Sequence, residues 1–350
     1  MPAKSILKSP QYLKDLVRKT SSAGVKVLWP LLPRALYQDL SVQSLNVALT
    51  RICNVNCVFC PYQFAGREEK RHMEQEVFER VIEGIGDAGI RCIMLAPDLG
   101  EPFLAPDFMD KVGRMREAGV ELIQVTTNAT VLQRVGVDEI VSDAGPDLIN
   151  ISLPGFDEEA YRRVYRSSLY DQVRDNVLGL LRANDARGRP KIITVRLRGD
   201  LPEEKLLAPP EVGEVMELAD DVTVMTAVDD WIGTITEEML PGELEIQKTR
   251  PPLTGRPCSV MFNLTVHPDG DLHLCSCRNI FRDPDLHIGN IKEMSVEEGY
   301  RAIFGIMDRW EEGHIPRICH NCSMYCDPAE AVLGRLQRIL ARKLLGKYYF

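Results

Sequence analysis

Cys53, Cys57 and Cys60 share one stretch, Cys-Asn-Val-Asn-Cys-Val-Phe-Cys, directly after the strand-like run 45–50. At these spacings each can place a thiolate on a different iron of a cubane cluster. A closed four-iron site takes four cysteines, and no fourth follows until Cys92. One iron is left open, and an open metal position implies a bound substrate or cofactor. The competing reading is a zinc knuckle or a set of buried thiols. It fits less well, because zinc sites recruit cysteines in pairs two to four residues apart. A second set, Cys258, Cys275, Cys277, Cys319, Cys322 and Cys326, lies further along the chain. The runs 262–267 and 271–276, joined by Pro268-Asp269-Gly270, read as a hairpin that brings Cys258 and Cys275 together. Cys319-x2-Cys322 supplies a second pair, and four such thiolates can close a zinc or an iron–sulfur site. Spacing alone does not separate these metals. Cys92, inside a strand-like run, reads as a core thiol.

The elements that must carry these loops alternate from residue 44 onward, the mark of a parallel α/β fold. Strands are predicted at 45–50, 92–96, 122–126, 148–152, 192–197 and 222–227, each rich in Val, Ile or Leu as strands buried on both faces should be. Helices are predicted at 74–89, 106–119, 157–166 and 171–186. Ligands in such folds sit at the carboxyl ends of the strands. After the second strand, Gly100 permits close backbone approach and Glu101 offers a carboxylate to an amino group. After the third comes Thr127-Asn128-Ala129, a local turn. After the sixth, Asp229 and Asp230 beside Trp231 could hold a polar, amino-bearing substrate. Residues 234–257, with Pro241, Gly242, Pro251, Pro252 and Gly255, read as a linker.

Composition is that of a globular protein, 45% hydrophobic and 27% charged. Apolar runs fall far short of the ~18 residues a membrane span needs, and no secretory signal is present. Cysteines in two clusters fit metal ligation in a reducing cytoplasm better than disulfides. The net charge of −9 hides a polarity. Lys4, Lys8, Lys14, Arg18, Lys19, Lys26 and Arg34 face Asp15 alone at the start, and residues 331–350 carry basic groups without an acid. The acidic body argues against nucleic acid, which wants a basic face. Val332, Leu333, Leu336, Ile339, Leu340 and Leu344 follow helical spacing. They suit a basic amphipathic helix packed on its own domain, with weak contact to a membrane surface as the rival.

The cysteine loop resembles the C-x3-C-x-aromatic-C signature of the radical S-adenosylmethionine (radical SAM) superfamily, with Phe59 at the aromatic position. The resemblance implies a 4Fe–4S cluster on Cys53, Cys57 and Cys60 whose open iron is chelated by S-adenosylmethionine. It implies reductive cleavage to a 5′-deoxyadenosyl radical that takes a hydrogen atom from substrate, and an external reductant such as flavodoxin or ferredoxin. The implied fold is a partial (β/α)6 barrel over 44–233, preceded by a basic lead-in, 1–43. Leu99-Gly100-Glu101 looks like the family's Gly-Gly-Glu motif, so that Gly100 and Glu101 would bind the methionyl amine. Thr127-Asn128-Ala129 resembles its Thr-Asn-Gly turn. By the same resemblance Phe59 would lie beside the adenine, and Ser152 with Arg163 would hold the methionyl carboxylate, Arg196 or Arg198 being rivals.

Cys258…Gly270…Cys275 resembles the opening of the SPASM and twitch extensions of that superfamily, and Gly289-Asn290-Ile291 also fits. The expectation is a small cluster domain over 258–328, followed by the helix 329–350. It would hold one auxiliary 4Fe–4S cluster on Cys258, Cys275, Cys319 and Cys322, with Cys277 and Cys326 as ligands, hydrogen donors or inert thiols. The implied reaction is oxidation or epimerisation of a small polar metabolite such as a sugar or cyclitol. Peptide or protein maturation is the second reading, and a non-catalytic electron-transfer or scaffold protein the third.

Overall fold

The computed structural model describes residues 44–95, 98–248, 257, 258, 260, 263–275, 282–320 and 322–326. The lead-in 1–43, the basic helix 329–350 and Cys277 lie outside the described residues.

All six predicted barrel strands form: β1 (Ser44–Val47), β2 (Cys92–Leu95), β3 (Leu122–Thr127), β4 (Leu148–Leu153), β5 (Ile192–Leu197) and β6 (Asp221–Val224). Each pairs in parallel with the next. The predicted helices appear as α1 (Gln75–Asp87), α2 (Phe108–Glu117), α3 (Glu158–Tyr165) and α4 (Tyr170–Ala186), joined by an unpredicted α5 (Pro210–Leu218). Parallel pairing of sequential strands demands these crossovers. The result is a partial (β/α)6 barrel.

The strands are not apolar on both faces, as expected from their composition. Leu45, Val47, Ile93, Leu95, Ile123, Val125, Ile149, Ile151, Ile193, Val195 and Leu197 are buried and share one apolar cluster with the inward faces of the helices. The alternate residues face the barrel lumen, and in register they are largely polar. Thr126 pairs with Asn150, Asn150 with Thr194, and Ser152 with Arg196. Two side-chain bonds confirm the shared face, Asn46 Nδ2 to Thr265 Oγ1 at 3.4 Å and Thr194 Oγ1 to Asn150 Oδ1 at 2.7 Å. The lumen-side positions are largely polar, and where buried they bond to one another.

Five further strands follow among the described residues. β7 (Ala227–Val228) and β8 (Glu245–Ile246) form a separate two-stranded parallel sheet. The predicted hairpin is β9 (Leu264–Val266) and β10 (Asp271–Leu274), and β11 (His287–Asn290) pairs antiparallel with β10. The hairpin does not stand apart from the barrel. β9 pairs in parallel with β1, so among the described residues one nine-stranded sheet runs β11-β10-β9-β1-β2-β3-β4-β5-β6. The expected linker is likewise attached, since Glu243 N donates to Asp200 O at 2.9 Å and Gln247 N to Val228 O at 2.7 Å.

α6 (Val296–Glu311) closes the C-terminal part. Ser295 and Glu298 form a capping box at its start, Ser295 N donating to Glu298 Oε2 at 2.7 Å and Glu298 N to Ser295 Oγ at 3.2 Å. α6 packs on α1 where Gly84 meets Val296; a Cβ at Gly84 would overlap Val296 Cγ2. Gly84→Ala therefore loses more from overpacking, about 1–3 kcal/mol, than the ~1 kcal/mol that alanine contributes in a helix. Urea unfolding should show Gly84→Ala destabilised, with most of that loss recovered when Val296→Ala is added.

Candidate cofactor-binding site

The loop 51–60 leaves β1 and is held from several sides, which leaves its three sulfurs to act together. Asn56 N donates to Tyr165 O at 3.2 Å and Val58 N to Val164 O at 2.9 Å. These are last-turn carbonyls of α3, which have no partner within the helix. The Tyr62 hydroxyl accepts from Cys53 N at 3.1 Å and donates to Cys53 O at 3.0 Å. Gln63 Nε2 donates to Val58 O at 3.1 Å and Cys60 O at 3.2 Å. Trp231 Nε1 donates to Phe59 O at 3.0 Å.

Burial pushes the Cys53 thiol up to about 12 and Cys60 to about 11, and raises Cys57 well above the usual range. Cys57 is also raised by its neighbours Cys60 and Cys53. Thiolates so placed call for a bound cation. Among the described residues, Asp271, His273 and His287 bring ligand atoms within 4.8 Å of one another. The Asp271 group is itself no metal site, because Arg282 Nη1 already lies 2.9 Å from Asp271 Oδ2 and 2.6 Å from Asp269 Oδ2.

The loop after β2 is stitched to the cysteine loop. Glu101 N donates to Ile52 O at 2.8 Å. Gly100, at φ 105°, crosses Thr50 so closely that a Cβ would strike the Thr50 carbonyl oxygen. Glu101 is 1% exposed. Its carboxylate accepts Phe103 N at 3.2 Å, Thr127 Oγ1 at 2.8 Å and Asn128 N at 2.7 Å. Burial raises it to about 7 against those three donors. A carboxylate has about four acceptor positions, so one is left for an amino group. Asn128 reaches the first cysteine, with Nδ2 3.6 Å from Cys53 Sγ and 3.3 Å from Asn54 Oδ1. Ala129 follows in left-handed backbone, φ 61°, where the family's turn places glycine.

Ser152 and Arg163 fare differently. Tyr165 Oη donates to Ser152 O at 2.6 Å and lies 3.4 Å from Ser152 Oγ, close to the cysteine loop. Arg163 forks onto Asp200 instead, Nε to Oδ2 at 2.8 Å and Nη2 to Oδ1 at 3.2 Å, with its side chain 44% exposed. Arg162 and Arg166 are engaged with Glu158 and Gln63. Arg198, continuing the lumen face of β5, lies 5.7 Å over the Phe59 ring, and its charge acts on Cys57 and Cys60. Asp230 receives Ile232 N at 3.0 Å and Gly233 N at 3.2 Å, and Asp229 receives Trp231 N at 2.8 Å. The segment predicted to meet substrate is a turn of left-handed residues that aims the indole at the cysteine loop.

Tyr62, Gln63 and a buried charge network were not legible in the sequence. Arg51 Nε lies 3.2 Å from Asp98 Oδ2, and His267 Nδ1 3.5 Å from the same oxygen. Burial and the charges of Arg51 and Arg282 hold His267 well below its usual range, so it is neutral. The network ties the approach to Cys53, the Glu101 loop and the C-terminal hairpin together.

The second cysteine set also gathers. Cys326 N donates to Cys258 Sγ at 3.4 Å, and Met324 N to Cys322 Sγ at 3.3 Å. Burial pushes Cys258 up to about 12, with Cys322 and Cys326 adding to it. Cys319 is raised by burial and by Cys258 and Cys322. Cys326, left spare in the sequence reading, thus adjoins Cys258. Cys275 ends β10 in left-handed backbone and packs, half-buried, on the same core.

The profile of the radical SAM superfamily matches residues 47–201, and that of the SPASM iron–sulfur cluster-binding domain matches 258–323. The chain carries a radical SAM domain followed by a SPASM iron–sulfur cluster-binding domain. The first domain implies a 4Fe–4S cluster and S-adenosylmethionine, the second auxiliary iron–sulfur clusters. Among curated proteins, a probable GTP 3′,8-cyclase of Methanothermobacter marburgensis is 27% identical over 270 residues, 67% of this chain and 85% of its own. One of Pyrococcus abyssi is 31% identical over 158 residues, 45% of this chain and 49% of its own. Solved structures share the fold at low identity. BtrN in complex with AdoMet and 2-DOIA gives a TM-score of 0.51 at 15% identity, over 80% of this chain and 92% of that one. SuiB of Streptococcus suis bound to S-adenosylmethionine gives 0.54 at 14%, over 81% and 72%.

Tyr62→Phe removes both clamps on Cys53 and leaves its amide without that acceptor, at a cost of about 1–3 kcal/mol. Iron should leave the Tyr62→Phe protein faster than wild type under a chelator challenge, with auxiliary-cluster iron retained.

Proposed function

We propose that this radical SAM enzyme abstracts a hydrogen atom from a small polar molecule held in the barrel lumen, with one auxiliary 4Fe–4S cluster assisting. The polar inner face of the sheet, with Asn150, Thr194 and Arg196 in adjoining registers, carries this reading. An apolar lumen would suit a lipid or an aromatic side chain; this one offers hydrogen bonds and charge. When bound, the catalytic cluster and S-adenosylmethionine supply a 5′-deoxyadenosyl radical. The chain's part is positional. Cys53, Cys57 and Cys60 hold the cluster, Asn128 donates toward Cys53, and the last acceptor position of Glu101 takes the methionyl amine. Arg198 with Ser152 suits the methionyl carboxylate better than Arg163, whose fork is filled by Asp200. Phe59 lies under Arg198 and lines the adenine side.

Four of Cys258, Cys275, Cys319, Cys322 and Cys326 would hold the auxiliary cluster. A cluster held there would supply a one-electron acceptor, so that a substrate radical losing an electron and a proton would end oxidised; a nearby thiol would instead return a hydrogen atom, giving an epimerisation once the external donor and a proton restored the thiol. The relatives named GTP 3′,8-cyclases and BtrN with 2-DOIA fit a small polar substrate. An external one-electron donor of the flavodoxin or ferredoxin type and a reducing cytoplasm complete the picture. Among the described residues no helix is long and apolar enough to cross a membrane.

Two measurements test this. Reconstituted protein with about eight irons per chain should form 5′-deoxyadenosine with dithionite and transfer deuterium from a labelled sugar, cyclitol or nucleotide. Deuterium from a labelled peptide instead would overturn the substrate class, and no 5′-deoxyadenosine with intact clusters would leave a scaffold. The second measurement is pH. With Glu101 near 7, an amino group that binds its ionised form lowers that value and expels a proton below it. S-adenosylmethionine affinity should therefore rise several-fold, on the order of tenfold per unit at most, between pH 6 and 8. Glu101→Gln should bind weakly and respond less to pH.

A further inference from the structure

Arg196 and Arg198 stand two apart on β5 and its continuation, so their side chains share the lumen face. Val195 and Leu197 between and beside them are fully buried on the helix side. Other arginines nearby are paired: Arg163 with Asp200, Arg162 with Glu158, Arg182 with Glu214. Among the described residues, no carboxylate forms an ion pair with Arg196 or Arg198. Arg198 Nε is buried without an acceptor there. Glu101 is held by three donors. Asp221, at the sheet edge, forms no ion pair with Arg196, but its charge favours the guanidinium against burial and the charge on Arg198.

Two half-buried guanidiniums on one wall of a ligand cavity need an anion to compensate them. Arg198 lies over Phe59 and beside the cysteines, and is taken up by the cofactor's carboxylate and the cluster. Arg196 is one pleat deeper, in register with Ser152; of the two rivals for the methionyl carboxylate, Arg198 over Phe59 takes that role and leaves Arg196 free for another anion. We propose that Arg196 receives an oxyanion of the substrate, so that the small polar molecule carries a phosphate or a carboxylate group. This rests on the lumen being the substrate site, and it narrows the substrate from neutral sugars and cyclitols to anionic metabolites. The planar fork of Arg196 suits either oxyanion.

The test uses the anaerobic holoprotein saturated with S-adenosylmethionine, so that Arg198 is already occupied. Equilibrium dialysis with inorganic phosphate should show one site per chain, weakened roughly tenfold in Arg196→Gln and less in Arg196→Lys. Arg187→Gln, at the surface beside Asp138, should bind phosphate as wild type does. Competition with acetate separates the two chemistries: weak displacement marks a phosphate site, and displacement at equal concentration marks a carboxylate site. Circular dichroism and iron content check that Arg196→Gln is folded; if it is not, Arg196→Lys decides alone. The proposal is overturned if neither anion binds the wild type, or if phosphate binding ignores Arg196 in protein that still forms 5′-deoxyadenosine. Failure of the underlying function looks different, as loss of 5′-deoxyadenosine from wild type with both clusters intact.

Discussion

Three thiols on one short loop, one buried and two partly buried, repel one another once ionised, and the backbone carrying them has to be held by something else. In this protein that something is distributed. The last turn of α3, the Tyr62 hydroxyl, the Gln63 amide and the Trp231 indole each take hold of the loop's peptide groups. None of these bonds is unusual in strength. Their effect is to satisfy the loop's backbone with protein, so that the sulfurs are the groups left facing inward. The cost of keeping three thiols in a dry site is offset only when a cation accepts them, which couples cluster binding to the order of the loop.

The same loop is where the two cluster-bearing regions meet. Arg51 precedes it, Asp98 precedes the Glu101 loop, and His267 ends β9 in the C-terminal hairpin. With all three buried, removing one partner would strand a charge or a polar group in the core. β9 adds to this by pairing directly with β1, and α6 by resting on α1 at Gly84. The start of the cysteine loop and the C-terminal hairpin are thus joined by packed, hydrogen-bonded elements.

Much of this was readable along the chain. The β/α alternation and all six barrel strands follow from runs of Val, Ile and Leu between helical segments, because local periodicity and crossover geometry constrain a parallel sheet strongly. Cys53, Cys57 and Cys60 were readable from spacing, and Gly100, Glu101 and Asn128 from their places just past strand ends. Less readable was anything that depends on which distant groups meet. Arg163 has the right chemistry for a carboxylate, but Asp200 reaches it first. Cys326 has no motif to mark it, yet its amide faces Cys258 Sγ. Asp229 and Asp230 look like ligands in one dimension and are backbone acceptors in three.

The sequence by itself determined the chemistry on offer: a triad of thiols with one metal position open, a nearby carboxylate, a second set of thiols, and a parallel α/β scaffold to carry them. These are local facts, set by residue type and by spacings shorter than a turn or a strand. Only the tertiary structure decided which face of each strand looks into the lumen and which arginines there lack an ion pair among the described residues. It also decided that the C-terminal hairpin extends the barrel's own sheet. Those outcomes depend on pairing register and on side chains far apart in the chain, whose meeting is fixed by the packing of the whole core and not by any one segment.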